Sequence, residues 1–115
     1  MQMLKQEKFQ KCIELCDDCA ESCDACANAC LSEKDVRMLA RCIRLDMDCA
    51  DICRTTAAYM SRDSEYARKL CGPCADVCDA CAEECEKHKQ MEHCMKCASI
   101  CRATADECRR MTHSF

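Results

Sequence analysis

Between residues 12 and 30 the cysteines are spaced four, three, four, three and four apart: Cys12, Cys16, Cys19, Cys23, Cys26 and Cys30. This is the period of a core-facing helical stripe, with thiols where leucines normally stand. The same rhythm can be laid along three further segments. The second stripe reads Cys42, Asp46, Cys49, Cys53, Thr56 and Met60. The third reads Ala67, Cys71, Cys74, Cys78, Cys81, Cys85 and His88. The fourth reads Cys94, Cys97, Cys101, Thr104, Cys108 and Met111. All eighteen cysteines of the 115 residues lie on these stripes, which leaves none for an outer face.

One small domain spanning residues 1–115 is expected from this length. One Gly and one Pro are too few turn formers for a sandwich or barrel. Ala, Glu, Lys, Arg, Met and Leu fill the gaps between cysteines, and all favour helix. The first helix is expected from about Met3 to Leu31. Ser32 should open the second, with Asp35 in a capping-box-like position, and this helix runs to about Met60. Ser61, Asp63 and Ser64 offer the next cap, for a helix to about His88. The last helix follows the polar turn from Lys87 to Glu92 and ends near Met111. Short connections make sequential helices antiparallel neighbours, so the expected fold is all-α, an up-down-up-down four-helix bundle with a cysteine-lined core. Pro73, beside Gly72, should kink the third helix or force it to start anew.

A single buried cysteine behaves as a small hydrophobe. Eighteen on inward stripes leave a bundle underpacked, because a thiol fills less volume than leucine. Met38, Leu45, Ile52, Leu70, Val77 and Ile100 beside the stripes supply only part of the missing packing. Disulfides are poor within one helix: residues four apart hold their Cβ atoms roughly 6 Å apart, whereas a disulfide needs about 3.8 Å. Cross-helix disulfides remain geometrically open. Cys71-Gly72-Pro73-Cys74 matches the thioredoxin tetrapeptide, but it lacks a preceding Trp and an alternating strand–helix context.

A continuous lining of soft donors points to a soft metal ion. Cu(I) prefers thiolates and accepts two or three ligands. One Cu(I) per thiolate keeps a low-dielectric core nearly neutral, which sets capacity at about one ion per cysteine. Zn(II) would leave a large negative charge at four thiolates per ion, and it usually shows isolated ligand clusters. Iron–sulfur binding shows a tight cysteine loop, which this chain lacks. The alternatives are Zn(II) or Cd(II) sequestration of the metallothionein kind, and a structural disulfide-rich helical protein.

Antiparallel helices set two chemically different ends. Cys12, Met60, Ala67, Cys108 and Met111 gather at an apolar end, where Met60 and Met111 read as plugs. Cys30, Met38, Cys85, His88, Met91, His93 and Cys94 gather at the other, the candidate mouth. His88 continues a ligand stripe, and His93 stands in the turn before Cys94; both are candidate ligands. His113 reads as tail. Asp46 is a third non-sulfur candidate, since a carboxylate facing thiols needs a cation, a partner or water; pairing with Arg41 or Arg44 is the competing role. The other acidic residues read as outer-face solubilising charges. Thr56 and Thr104 mark where the ladder thins toward the closed end. In apo protein Cys30, Cys85 and Cys94 should react before Cys12 and Cys108.

The Cys-x3-Cys pairs Cys12/Cys16, Cys19/Cys23, Cys26/Cys30, Cys49/Cys53, Cys74/Cys78, Cys81/Cys85 and Cys97/Cys101 resemble the bacterial cytosolic copper storage proteins. So does the segment from Cys42 to Cys53, and so does the His-containing turn before Cys94. The resemblance covers essentially the whole chain. It implies cytosolic storage of many Cu(I) ions in the bundle core and assembly into tetramers, with a copper chaperone as a candidate partner. Gly72-Pro73 inside the third helix departs from the pattern.

Other functions find little support. The formal net charge is -4, and no basic patch or aromatic platform suggests nucleic acid. No stretch approaches the roughly 18 apolar residues of a membrane span. The first eight residues show no apolar run, cleavage site or twin arginine, so a cytoplasmic location is expected. No catalytic constellation is visible, and an enzyme is not expected.

Overall fold

The computed structural model describes residues 7–113. Helix α1 spans Gln10–Leu31, α2 Ala40–Ser61, α3 Ala67–Cys85 and α4 Glu92–His113, with a 3₁₀ turn, Val36–Leu39, ahead of α2. Each helix packs on two neighbours: α1 and α3 both lie against α2 and α4. The result is the expected up-down-up-down bundle, about 51 × 20 × 18 Å. No described helix is long and apolar enough to cross a membrane. The expected start of the first helix at Met3 lies outside the described residues.

Local chemistry moves some boundaries. Ser32 closes α1 rather than opening α2: its N–H donates to the Ala29 carbonyl at 3.1 Å. The 3₁₀ turn then intervenes, and its Asp35 cap makes no side-chain hydrogen bond, so the expected capping box is absent. Ser64 does act at the next start, where its Oγ accepts the Tyr66 N–H at 3.1 Å. Asp63 takes the left-handed conformation, φ 53°, which a short polar side chain tolerates. α3 stops at Cys85, and His88 lies beyond it in the connection to α4.

Pro73 does not restart α3, which runs unbroken from Ala67 to Cys85. Its ring lies on an exposed position in the second turn of the helix. Only the bond to the Lys69 carbonyl is lost there, and water can satisfy that group.

The core is sulfur flanked by alanine. A buried alanine follows a stripe residue at Ala20 and Ala27 in α1, Ala50 and Ala57 in α2, Ala75 and Ala82 in α3, and Ala98 and Ala105 in α4. Each pair is seven residues apart. Small side chains beside the sulfurs let adjacent helices approach closely. Phe9, Met60, Ala67 and Met111 are buried where the stripes reach the closed end; sequence reading missed Phe9. Leu39 is fully buried, whereas Met38, expected to pack beside the stripes, is 68% exposed. The 3₁₀ turn rotates the chain by about 120° per residue, so only one of two neighbouring apolar residues can face in.

Candidate metal centre

Every one of the eighteen cysteines is buried and free. The four stripes converge, and sulfurs of different helices stand in van der Waals contact along the axis. Cys12 and Cys108 are 3.6 Å apart, Cys19 and Cys101 3.6 Å, Cys49 and Cys78 3.6 Å, and Cys42 and Cys85 3.6 Å. Neighbours on one helix approach similarly: Cys49 to Cys53 at 4.0 Å and Cys97 to Cys101 at 3.9 Å. These separations are about twice a disulfide bond. They suit a metal ion seated between sulfurs.

Tight donor quartets repeat along the core. Cys19, Cys23, Cys49 and Cys101 place their ligand atoms within 4.8 Å of one another, as do Cys19, Cys49, Cys53 and Cys78. Cys23, Cys81, Cys97 and Cys101 form another such group. These three quartets share members, so none of them stands alone. Sharing favours bridging thiolates and an ion with low coordination number. Cys74 joins through Cys53 at 3.8 Å, and Cys16 reaches Cys108 at 3.9 Å. The Cys71 thiol donates to the Ala67 carbonyl at 3.4 Å.

Thr56 and Thr104 are buried on stripe positions that elsewhere hold cysteine. Each hydroxyl donates back to its own helix at 2.7 Å, Thr56 to the Ile52 carbonyl and Thr104 to that of Ile100. Toward the closed end, Cys12 and Cys16 both contact Cys108, at 3.6 and 3.9 Å.

Asp46 is fully buried at the centre of a thiol ring. Its Oδ1 accepts from Cys81 at 3.1 Å, Cys97 at 3.4 Å and Cys85 at 3.8 Å, while Oδ2 accepts from Cys42 at 4.0 Å. The competing arginine pairing is not formed by Arg41, which bonds Glu84 at 3.4 Å instead. Burial, then the neighbouring charge of Cys97, pushes the Asp46 carboxyl up to about 8. A cation in the ring would reverse that penalty and make the carboxylate a ligand. Cys26, Asp46, Cys85 and Cys97 together form one of the compact donor groups.

The two histidines differ. His93 Nδ1 lies 3.5 Å from Cys26 Sγ and 3.6 Å from Cys94 Sγ, and Cys26, Cys30, His93 and Cys94 form a donor group. His88 has its Nε2 3.3 Å from Glu84 Oε2 on the flank of α3. Burial raises the Cys30 and Cys94 thiols, Cys94 to about 11. Glu84 and Glu107 depart from the outer-face reading of the acidic residues: both are buried. Glu84 lies against Arg41, Lys87 and His88, and Glu107 against Lys11 and Arg110. Of these neighbours only Lys87, His88 and Arg110 lie within about one helical turn of their glutamate; Arg41 and Lys11 are too far apart in sequence to be read as partners.

The structure also corrects which thiols meet solvent. Cys30, Cys85 and Cys94 are as completely buried as Cys12 and Cys108, and Cys26 alone keeps any exposure, 2%. Cys26 lies in a groove of about 540 Å³ between α1 and α4, which Ser22, Ala25, His93 and Lys96 also line. In reduced apo protein Cys26 is therefore expected to be the first site alkylated by iodoacetamide, as mapped by peptide mass analysis. Earlier modification of Cys12 or Cys108 would contradict this.

Residues 5–113 match the sequence profile of a family described as copper storage protein. The chain is 45% identical to a cytosolic copper storage protein from Streptomyces lividans captured during copper loading with five coppers. That structure superposes with a TM-score of 0.91, over 97% of this chain and 98% of the other. A Streptomyces lividans structure loaded with 10 copper equivalents is 46% identical, with a TM-score of 0.90 over 95% and 86% of the two chains. The apo form of copper storage protein 3 from Bacillus subtilis is 43% identical, with a TM-score of 0.85 over 90% and 98%.

Proposed function

The chain belongs to the copper storage protein family, and from that premise we propose that its bundle core stores and buffers Cu(I), at about one ion per cysteine. The observation that carries this reading is the sharing of sulfurs between neighbouring quartets. Isolated tetrahedral sites would suit Zn(II), whereas a chain of shared thiolates suits a monovalent soft ion held by bridging. The ligands we assign are the eighteen stripe cysteines, with Asp46, His93 and His88 as the non-sulfur donors. Asp46 and His93 are supported by their thiol neighbours. His88 is supported only by its place in the sequence pattern after Cys85; in the fold it lies past the end of α3, against Glu84.

Cu(I) entering the core displaces thiol protons, so loading releases acid and neutralises each thiolate as it forms. The protein acts as a store rather than a catalyst. The likeness to a cytosolic Streptomyces protein supports a cytosolic setting. Assembly into homotetramers and receipt of copper from a chaperone are further parts of the proposal, the first supported by the family resemblance. The exposed apolar side chains Leu31, Met38, Met47 and Tyr66 are compatible with subunit contact.

Anaerobic titration of the reduced protein with Cu(I), against a chromogenic chelator, tests the reading. Saturation at about eighteen equivalents is expected from one ion per thiolate. Saturation near four or five, or bound Zn(II) that survives a Cu(I) challenge, would favour the tetrahedral alternative.

A further inference from the structure

Glu33 belongs to none of the sulfur stripes, yet it reaches the histidine that contacts them. Its Oε2 lies 3.0 Å from His93 Nε2, bridging 60 residues of sequence. The backbone puts it there. Glu33 follows the end of α1, and its N–H donates to the Cys30 carbonyl at 3.1 Å. The carboxylate is thus carried by the same helix terminus that presents Cys26 and Cys30. His93 approaches from the other side, as the second residue of α4.

The hydrogen-bond roles follow from the chemistry of the pair. An ionised carboxylate can only accept, so Nε2 must carry the imidazole proton. In the neutral ring this leaves the lone pair on Nδ1, the nitrogen 3.5 Å from Cys26 Sγ and 3.6 Å from Cys94 Sγ. The same bond fixes ring rotation, so the lone pair points into the group formed with Cys26, Cys30 and Cys94. Carboxylate partners of this kind orient metal-bound histidines and raise their basicity, and their loss typically costs about 10–100-fold in affinity or activity.

We propose that Glu33 is a positioning residue for copper uptake: it holds His93 in the Nε2-protonated tautomer with Nδ1 aimed at the thiols of Cys26 and Cys94. The proposal rests on the Cu(I) storage reading and on His93 as a ligand. Glu33 itself does not touch the metal. Its role concerns the rate at which the first ions are accepted, since the deep thiols that set capacity lie beyond its reach.

Stopped-flow absorbance of thiolate–Cu(I) charge transfer in wild type, Glu33→Ala, Glu33→Gln, His93→Ala and the Glu33→Ala/His93→Ala double variant provides the test. Glu33→Ala is expected to slow uptake of the first equivalent about tenfold, with the same final capacity as wild type. Glu33→Gln, whose amide oxygen still accepts an N–H, should recover most of the rate. The double variant should load no more slowly than His93→Ala, because both changes disable one unit. Imidazole ¹⁵N shifts should show Nδ1 unprotonated in neutral wild-type His93 and a mixture of tautomers in Glu33→Ala. Wild-type loading in Glu33→Ala, no rescue by glutamine, or additive losses in the double variant would overturn the proposal. A low capacity in the wild-type protein would instead count against storage itself.

Discussion

Filling the reduced protein with Cu(I) is expected to raise its melting temperature by more than about 20 °C, read by anaerobic circular dichroism or calorimetry. The reason lies in what the apo core lacks. Thiols and alanines occupy positions where leucines would otherwise interdigitate, so the empty bundle gains little from apolar burial. Bound ions occupy that axis and join sulfurs of different helices, including Cys12 with Cys108 and Cys49 with Cys78. Each independent site at a free-ion level of about 100 times its dissociation constant contributes roughly 2.7 kcal/mol. A few such sites already exceed the whole stability of an ordinary small domain, about 5–15 kcal/mol. Linkage also makes the change graded, because every ion that binds only the folded state adds its own increment. Equal melting temperatures for apo and loaded protein would mean that copper does not sit between the helices.

The second large effect is a pH dependence carried by Asp46. Its carboxyl group ionises near 3.8 when unfolded and near about 8 in the folded apo protein, chiefly because of burial. Between those values the unfolded chain has released a proton that the folded protein still holds. Folding therefore takes up a proton there, and apo stability falls as pH rises from about 4 toward 8. At about 1.4 kcal/mol per pH unit, the loss attributable to this group by pH 7 is roughly 4 kcal/mol. Asp46→Asn keeps the side-chain shape and cannot ionise. Its urea unfolding curves should separate from wild type by roughly 4 kcal/mol between pH 4 and pH 7, in favour of the variant at the higher pH. Effects of the other carboxylates cancel in that difference. Copper loading should shrink it, since a cation in the ring stabilises the wild-type carboxylate. Parallel curves for the two apo proteins would place the Asp46 carboxyl in an ordinary environment.

Those two predictions draw on features of unequal legibility. The sulfur stripes, the bundle and the special place of Asp46 are visible in sequence because a period of 3.5 residues maps directly onto one helix face. The ends of the helices are less visible. Ser32 is as good a helix starter as a terminator when viewed alone; the Ala29 carbonyl it bonds decides the matter. Met38 and Leu39 are equally apolar neighbours, and only the 3₁₀ turn determines that Leu39 goes inward. Pro73 looked disruptive because sequence does not show that its ring lies on the exposed face of the second turn. Cross-chain pairings were least legible. Nothing local links Glu33 to His93 or Arg41 to Glu84, since each pair is brought together only when the bundle closes. The least buried thiol was not visible in sequence for the same reason. Cys26 is distinguished from Cys30 by the groove beside α4, which is a property of two packed helices.

The alanines that recur every seven residues give the bundle a property beyond close packing. A structure built on one repeat can be lengthened without being redesigned. Adding seven residues at the same level of all four helices would preserve every existing register and introduce about eight more stripe positions. Adding three or four in one helix alone would turn part of its stripe away from its partners' layers. Capacity in this architecture is therefore a length, counted in heptads, and evolution can raise or lower the amount of metal held per chain by whole-repeat insertion and deletion.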